Sequence, residues 1–299
     1  DIIKPILMGV VSTFFIFWSF SGLILRITQS SKKFYYKGLN SFTLRQFSSK
    51  INTTVFSTTI ICLMLFVTIC LLSSCLTIKN SMNANIKELA PVDVMFTTNM
   101  NMDKYYDNFR SYGWNDNQIK NSHYTTKEMF SLFDFDITKY LRDYIEVNTY
   151  ATPDLTMNHT LGSKLNQIRT SFPFLQYDTM ESIMKISDYN KVARFYGNEE
   201  YSLNSNEYMI VADFKSMIEV RNIALENHET INLFGHTLKP KYASCQDGFV
   251  EMFSNHINTG IIIVPDNVID EDYLIQNHLI GNYKTQDKNE ITEIENNIN

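Results

Sequence analysis

INTTVFSTTIICLMLFVTICLLSSCLTI, residues Ile51 to Ile78, runs 28 residues without a charged side chain. A helix rises about 1.5 Å per residue and the hydrocarbon core of a bilayer is about 30 Å thick, so about 20 such residues cross it. The stretch predicts a transmembrane helix. A second charge-free run, PILMGVVSTFFIFWSFSGLIL from Pro5 to Leu25, is 21 residues long and predicts another. The bland alternative is a buried core helix or, for the first run, a signal peptide. A signal peptide has an apolar region of only about 7–15 residues before its cleavage site. Here a basic segment and a second apolar run follow instead.

The charges divide the chain into two materials. Residues 1–78 hold seven basic groups and one acid, a net of +6, and residues 79–299 hold 19 basic groups and 31 acids, a net of −12. The overall −6 and the mean hydropathy of −0.17 average over that split. The segment Arg26 to Lys50 has six basic residues and no acid. Short loops rich in Lys and Arg stay on the cytoplasmic side. The expected organisation is therefore two transmembrane helices (about 5–25 and 51–78) within residues 1–78, with a basic cytoplasmic loop over 26–50. A helical stalk follows over 79–90, then an extracellular α+β (mixed α/β) domain over 91–285, then a polar tail or truncated linker over 286–299. The protein is expected in the cell membrane as a multi-pass chain with residues 79–299 outside.

Within the loop, Tyr35, Tyr36, Leu39, Phe42 and Phe47 share one arc of a helical wheel opposite Lys33 and Lys37, although Leu44 interrupts the polar face. The reading is a short basic helix on the inner membrane surface, against a plain polar hairpin loop. Ser12, Ser19 and Gly22 line one side of the first span, and Cys62, Cys70, Ser73 and Ser74 interrupt the second. Small residues let membrane helices approach closely, which suits packing against partner helices. Neither span carries an ionisable residue in its core, which argues against an ion pathway through them.

The outer body contains one cysteine, Cys245, so packing rather than an internal disulfide must hold it. That fits a Gram-positive or anaerobic surface better than an animal secreted protein, and the Asn158 sequon carries little weight there. Strands are expected at Asp93–Thr98, Tyr144–Tyr150, Ser182–Ile186, Tyr208–Asp213 and Gly260–Pro265, with a hairpin over Thr230–Leu238 turning near Gly235. Helices are expected at Asp103–Tyr112, Thr126–Asp143, from Ser187–Asp188 to Phe195 before a terminating Gly197, and at Phe214–Glu226. Residues 151–169 read as loop-rich.

Signatures of catalysis are missing from the pattern. His123, His159, His228, His236, His256 and His278 lack helix-face metal spacing and a cysteine pair, and each reads as a surface or half-buried side chain. Asp134 with Asp136, or Glu199 with Glu200, could be imagined as paired carboxylates, but neighbouring acids in so acidic a body are ordinarily solvated. Gly162-Ser163-Lys164 lacks the upstream glycine of a phosphate loop, and no nucleophile elbow occurs. The expectation is no catalytic, cofactor-binding or metal residue. An acidic body outside the cell also argues against nucleic acid as a partner.

Four stretches carry a family resemblance: FYYKGLNSFTLRQFSSKINTT over 34–54, MKISDYNKVARFYG over 184–197, NSNEYMIVAD over 204–213 and NTGIIIVPD over 258–266. Together with the order span, loop, span, domain, they resemble the FtsX-like, MacB-type permease subunits of bacterial ABC transporters. More narrowly they resemble the bacitracin-export, BceB-like permeases. In that family the first stretch is a juxtamembrane helix, the next two a strand–helix–strand unit of the outer domain, and the last a late strand. The large domain lies between the seventh and eighth spans, so the resemblance implies an internal fragment holding the sixth and seventh.

The resemblance implies a permease that handles antimicrobial peptides and confers antibiotic resistance, coupled to a cytoplasmic ABC-type ATPase. It also implies the remaining permease helices, a membrane histidine kinase, membrane lipid, and a peptide antibiotic or lipid-linked ligand as partners. The chain itself is expected not to be an enzyme, with ATP hydrolysis in the partner. Lipid or lipoprotein handling and cell-wall-hydrolase regulation are alternatives within the family. A two-span receptor and a surface enzyme are alternatives outside it; the receptor lacks a cytoplasmic output domain, and the enzyme lacks a motif.

Overall fold

A computed structural model describes residues 3–31, 35–105, 113 and 115–298. It divides into two compact units, Asp1–Ser81 and Met82–Asn299. The first unit is helical. Helix α1 (Ile3–Ser30) has Pro5 in its first turn, where a missing N–H leaves no bond unmade. Helix α2 (Asn40–Leu89) runs 50 residues without Gly or Pro and stops just short of Pro91, which disfavours helical geometry in the residue before it. Threonine hydroxyls inside these helices return to the carbonyl four residues back, as Thr13 does to Gly9, Thr68 to Met64 and Thr77 to Ser73.

Within α2, Val55–Leu89 is long and apolar enough to cross a membrane by length and composition. The apolar stretch of α1, Met8–Phe20, is shorter. Among the described residues there is thus one such helix where the sequence suggests two. Of the basic segment expected to lie as a short helix on the inner membrane surface, residues 32–34 lie outside the described residues and Tyr35 is helical, its N–H donating to the Ser31 carbonyl at 2.9 Å. α1 continues through Arg26 to Ser30, and α2 already begins at Asn40 after a turn at Gly38. The unit boundary falls inside α2, so its last turns, Met82–Leu89, belong to the second unit.

The second unit is built on an eight-stranded mixed sheet. Its strands are β1 (Val94–Asn99), β2 (Leu141–Tyr150), β3 (Ser182–Lys185), β4 (Glu207–Val211), β5 (Ile231–Leu233), β6 (His236–Pro240), β7 (Ile261–Val264) and β8 (Leu274–Tyr283). They lie in the order β1-β8-β2-β3-β7-β4-β6-β5. β3 runs parallel to β7, and β6 parallel to β4; the other neighbours are antiparallel. The short apolar runs of β4 and β7 sit at the centre, where both faces are covered.

Alternation along the strands makes two cores. Val147, Met184, Met209, Val211, Ile263 and Ile280 face one side and pack against Tyr189, Val192 and Ala193 of the helix Ile186–Tyr196. Tyr150, Ile183, Tyr208, Ile210, Ile262 and Val264 face the other. There they meet Leu225, on the helix Lys215–Glu226, and the β5–β6 hairpin. That hairpin turns on Phe234 (φ +48°) and Gly235 (φ +81°), two left-handed residues that match the twist of its strands. The helix after β3 ends on Gly197, as its sequence suggests, but Ser187 does not cap it; the Ser187 N–H donates to Asp266 Oδ1 at 3.1 Å.

Several segments differ from the sequence reading. The helix expected over 126–143 is only Thr126–Leu132; Asp134 adopts φ +55°, Asp136 caps a short 3₁₀ turn, and β2 has begun by Leu141. Of the helix expected over 103–112, Met102–Tyr105 forms one 3₁₀ turn and residues 106–112 lie outside the described residues. The stretch read as loop-rich holds the helices Met157–Leu161 and Leu165–Ser171, whose Met157, Leu161 and Ile168 pack against Met217 and Val220. The tail is not a linker: Lys288–Ile298 is a helix, with Ile294 buried beside Leu141, Leu279 and Tyr283. β8, one of the two longest strands, has no counterpart in the sequence reading at all.

One polar contact lies inside this apolar frame. The Arg221 guanidinium, 1% exposed, donates to both oxygens of Glu181, 4% exposed, at 3.0 and 2.7 Å. Thr160 Oγ1 donates to the same carboxylate at 2.5 Å, and Arg221 Nε donates to the Thr259 carbonyl at 2.5 Å. Gly260 (φ +131°) must lack a side chain, because a Cβ there would enter the guanidinium. Removing one member of a buried pair strands the other's charge, at a cost of roughly 3–5 kcal/mol. Arg221→Met should therefore lower the unfolding free energy of the sheet unit by about that amount in denaturant titration. Arg221→Met combined with Glu181→Leu should recover a large part of it.

Candidate functional site

On the β3–β7 face that carries Met184 and Ile263, the residues at one end of the strands turn from apolar to polar. Strand periodicity puts Thr149 on the same face as Val147, Ser182 with Met184, Ile261 with Ile263, and His278 and Gln276 with Ile280. The ladder brings them side by side: Thr149 pairs with Gln276, and Ser182 with Ile261. Over this end lie Leu89 and residues 250–260, and between them is a cavity of about 160 Å³. Asp213, Val250, Glu251, Asn255, Ile257, Asn258, Thr259 and Gly260 complete its walls.

Asn258 fixes the covering segment at its base. Its side-chain amide donates to the carbonyls of Val211 (3.0 Å) and Gly248 (2.9 Å), and its Oδ1 accepts from Gly260 N–H at 3.0 Å. Its own N–H donates to Asp213 Oδ1 at 2.7 Å, and its carbonyl accepts from the N–H groups of Asp213 and Phe214. Further along, Tyr196 OH donates to the Val250 carbonyl at 2.9 Å while its ring stacks on Phe249. The segment then holds the end of α2: Phe253 N–H donates to the Leu89 carbonyl, and Asn85 Nδ2 to Asn255 Oδ1, both at 3.4 Å. A helix leaves its last carbonyls without internal donors, and Phe253 supplies one.

The electrostatics of the cavity are one-sided. Burial pushes the Asp213 carboxyl above its ordinary value, against the pull of the Asn258 N–H and of His256, whose Nδ1 lies 3.4 Å away. Glu251 stands exposed on the rim and, among the described residues, has no hydrogen-bond or ion-pair partner. Among the described residues the Ser182 and Thr259 hydroxyls also have no partner. No lysine or arginine lines the walls. His278 is 1% exposed, with its two ring nitrogens each 2.9 Å from a threonine hydroxyl, Thr97 and Thr149. Burial lowers it to about 4, so the ring is neutral and one nitrogen donates while the other accepts. Such walls repel anions and offer acceptors to a donor.

Other groups singled out in the sequence are placed elsewhere. His278 is fully buried rather than half-exposed. His159 Nδ1 accepts from Thr156 N–H at a helix start, His123 lies 3.8 Å from Asp103, and His228 and His236 are exposed. Asp136 caps Thr138, and Glu200 is paired with Arg194, so neither acid pair forms a site. Ser163 of the broken phosphate motif donates to Glu229. Cys245 is pushed up to about 11 by burial and is a poor nucleophile. Lys185, Tyr150 and Glu271 form a tight cluster that uses its own groups. Among the described residues, no three His, Cys, Asp or Glu side chains converge as a metal centre requires.

No family model matches the chain, and no curated protein matches it. Among solved structures, a 1.5 Å crystal structure of a candidate lipoprotein from Bacillus anthracis superposes with a TM-score of 0.32 and 6% identity, over 54% of this chain and 81% of that one. A superposition that loose carries no argument about fold or activity.

His278 makes a pH prediction. The unfolded chain protonates this ring below about 6.5, the folded chain only below about 4. Between those values the unfolded state binds more protons, so stability falls as pH drops, by up to roughly 3 kcal/mol at and below pH 4. His278→Gln should flatten the slope of unfolding free energy between pH 6.5 and 4, measured against wild type.

Proposed function

We propose that this chain is part of a permease subunit of an FtsX/MacB-type ABC transporter. In this reading it is a multi-pass membrane protein that couples a cytoplasmic ATPase to an extracellular domain, in antimicrobial-peptide resistance or export. The observation that carries the reading is α2. It is one uninterrupted helix whose apolar part is long enough to cross a bilayer, and its final turns belong to the folded sheet unit. A helix of that kind can pass a mechanical signal between a membrane and an outer domain. The basic character of residues 26–50 supports an inside location for that segment and an outside location for residues 79–299. α1 is then the first of two spans, extended at both ends beyond Met8–Phe20. The remaining permease helices, membrane lipid, a membrane histidine kinase, and a peptide or lipid-linked ligand complete the proposed set of partners.

Orientation and assembly are tested together. In a background with Cys62, Cys70, Cys75 and Cys245 replaced, Phe174→Cys, at a side chain 98% exposed, should react with an impermeant maleimide on intact cells. Lys37→Cys should react only after permeabilisation. An ATPase should co-purify with the tagged full-length protein. Excising residues 91–285 should abolish peptide resistance while leaving membrane insertion intact; unchanged resistance in that strain would refute the reading.

A further inference from the structure

We propose that the cavity beneath residues 248–258 is a binding site for a small organic cation, a primary ammonium on a short apolar stem. The argument rests on the cavity as a whole. A single water needs roughly 10–15 Å³ of such space, so about 160 Å³ holds a molecule of several heavy atoms. Leu89, Val250, Ile257 and Ile261 give it an apolar wall suited to methylene groups. The polar wall is rich in acceptors: among the described residues the exposed Glu251 carboxylate and the Ser182 and Thr259 hydroxyls have no protein partner, and Asp213, held by the Asn258 N–H, contributes a second, buried carboxylate. Without lysine or arginine in the lining, no side chain of the cavity supplies the positive charge. An ammonium group does so, and its three N–H donors match the acceptors that surround it.

The lid of this site is also the segment that holds α2. Phe253 and Asn255 contact Leu89 and Asn85, while Val250, Glu251, Ile257 and Asn258 form the cavity wall. A ligand that bridges Glu251 to the floor at Ser182 ties the lid down, and so stabilises the contacts that lid makes with Leu89. Occupancy of the cavity is therefore sensed at the end of α2. The proposal does not rest on the chain belonging to a permease.

The test uses the purified full-length chain in nanodiscs, titrated by calorimetry with n-butylammonium, and with n-butanol and butyrate as neutral and anionic counterparts. Butylammonium should bind, butanol at least tenfold more weakly, and butyrate not at all. Hydrogen exchange over residues 249–260, including the Phe253 amide, should slow in its presence. Glu251→Gln should weaken binding at least tenfold with an unchanged melting temperature, since Glu251 has no partner to lose among the described residues. The proposal is overturned by absence of binding, by equal affinity for ammonium and alcohol, by wild-type affinity in Glu251→Gln, or by protection appearing elsewhere than 249–260. None of these results touches the membrane orientation or the ATPase association, so the two readings fail separately.

Discussion

The Glu181–Arg221 pair is the constraint around which the sheet unit closes. Taking both charges out of water costs several kcal/mol per ion, and the structure offsets it only by giving the pair complete geometry. Arg221 meets both carboxylate oxygens and the Thr259 carbonyl, and Thr160 adds a further donor to Glu181. Those four residues come from four separate places in the chain. They are the residue before β3, the helix after β4, the lead-in to β7, and the Met157–Leu161 helix. The pair therefore fixes where β3 and β7 begin, and those two strand starts supply Ser182, Gly260 and Ile261 to the cavity.

Parts of this were legible in the sequence for a simple reason. A strand buried on both faces reads as an apolar run, so Tyr208–Val211 and Ile261–Val264 announced themselves, and an uncharged run of 28 residues announced α2. β8 did not, because both its faces are covered yet one carries Gln276 and His278 and the other Asn277. Each is satisfied by a neighbour distant in sequence: Gln276 by Asn99, His278 by Thr97 and Thr149, Asn277 by Asn148 and Thr126. Polarity that is matched only after folding looks like loop beforehand. The last helix shows the converse case. Ile291, Ile294 and Ile298 have helical spacing, but three apolar residues in a polar tail gain meaning only when a partner surface is known.

The cavity was illegible for a related reason. Its residues come from the end of α2, four strands, the turn after β4 and the segment before β7, and none of them forms a local motif. Asp213 and Asn258 could have drawn notice, since each stands at the edge of a buried strand, where polar side chains tend to bond the exposed ends of the backbone. Nothing in the sequence says that they bond to each other.

That mutual bond also ties the base of the lid to the sheet. Asn258 directs its side-chain and main-chain groups to β4, to the start of the following helix and to both ends of the segment. The base is therefore over-determined, while from Glu251 to Ile257 the side chains are alternately exposed and half-buried. The contacts at the tip, Phe253 to Leu89 and Asn85 to Asn255, are long at 3.4 Å. Long, partly solvated hydrogen bonds contribute little net stability, and local opening concentrates where such bonds carry the contact. The joint between the lid and the end of α2 is thus a weak one. A site whose occupant braces that joint from beneath needs only a small binding free energy to change how firmly the helix end is held.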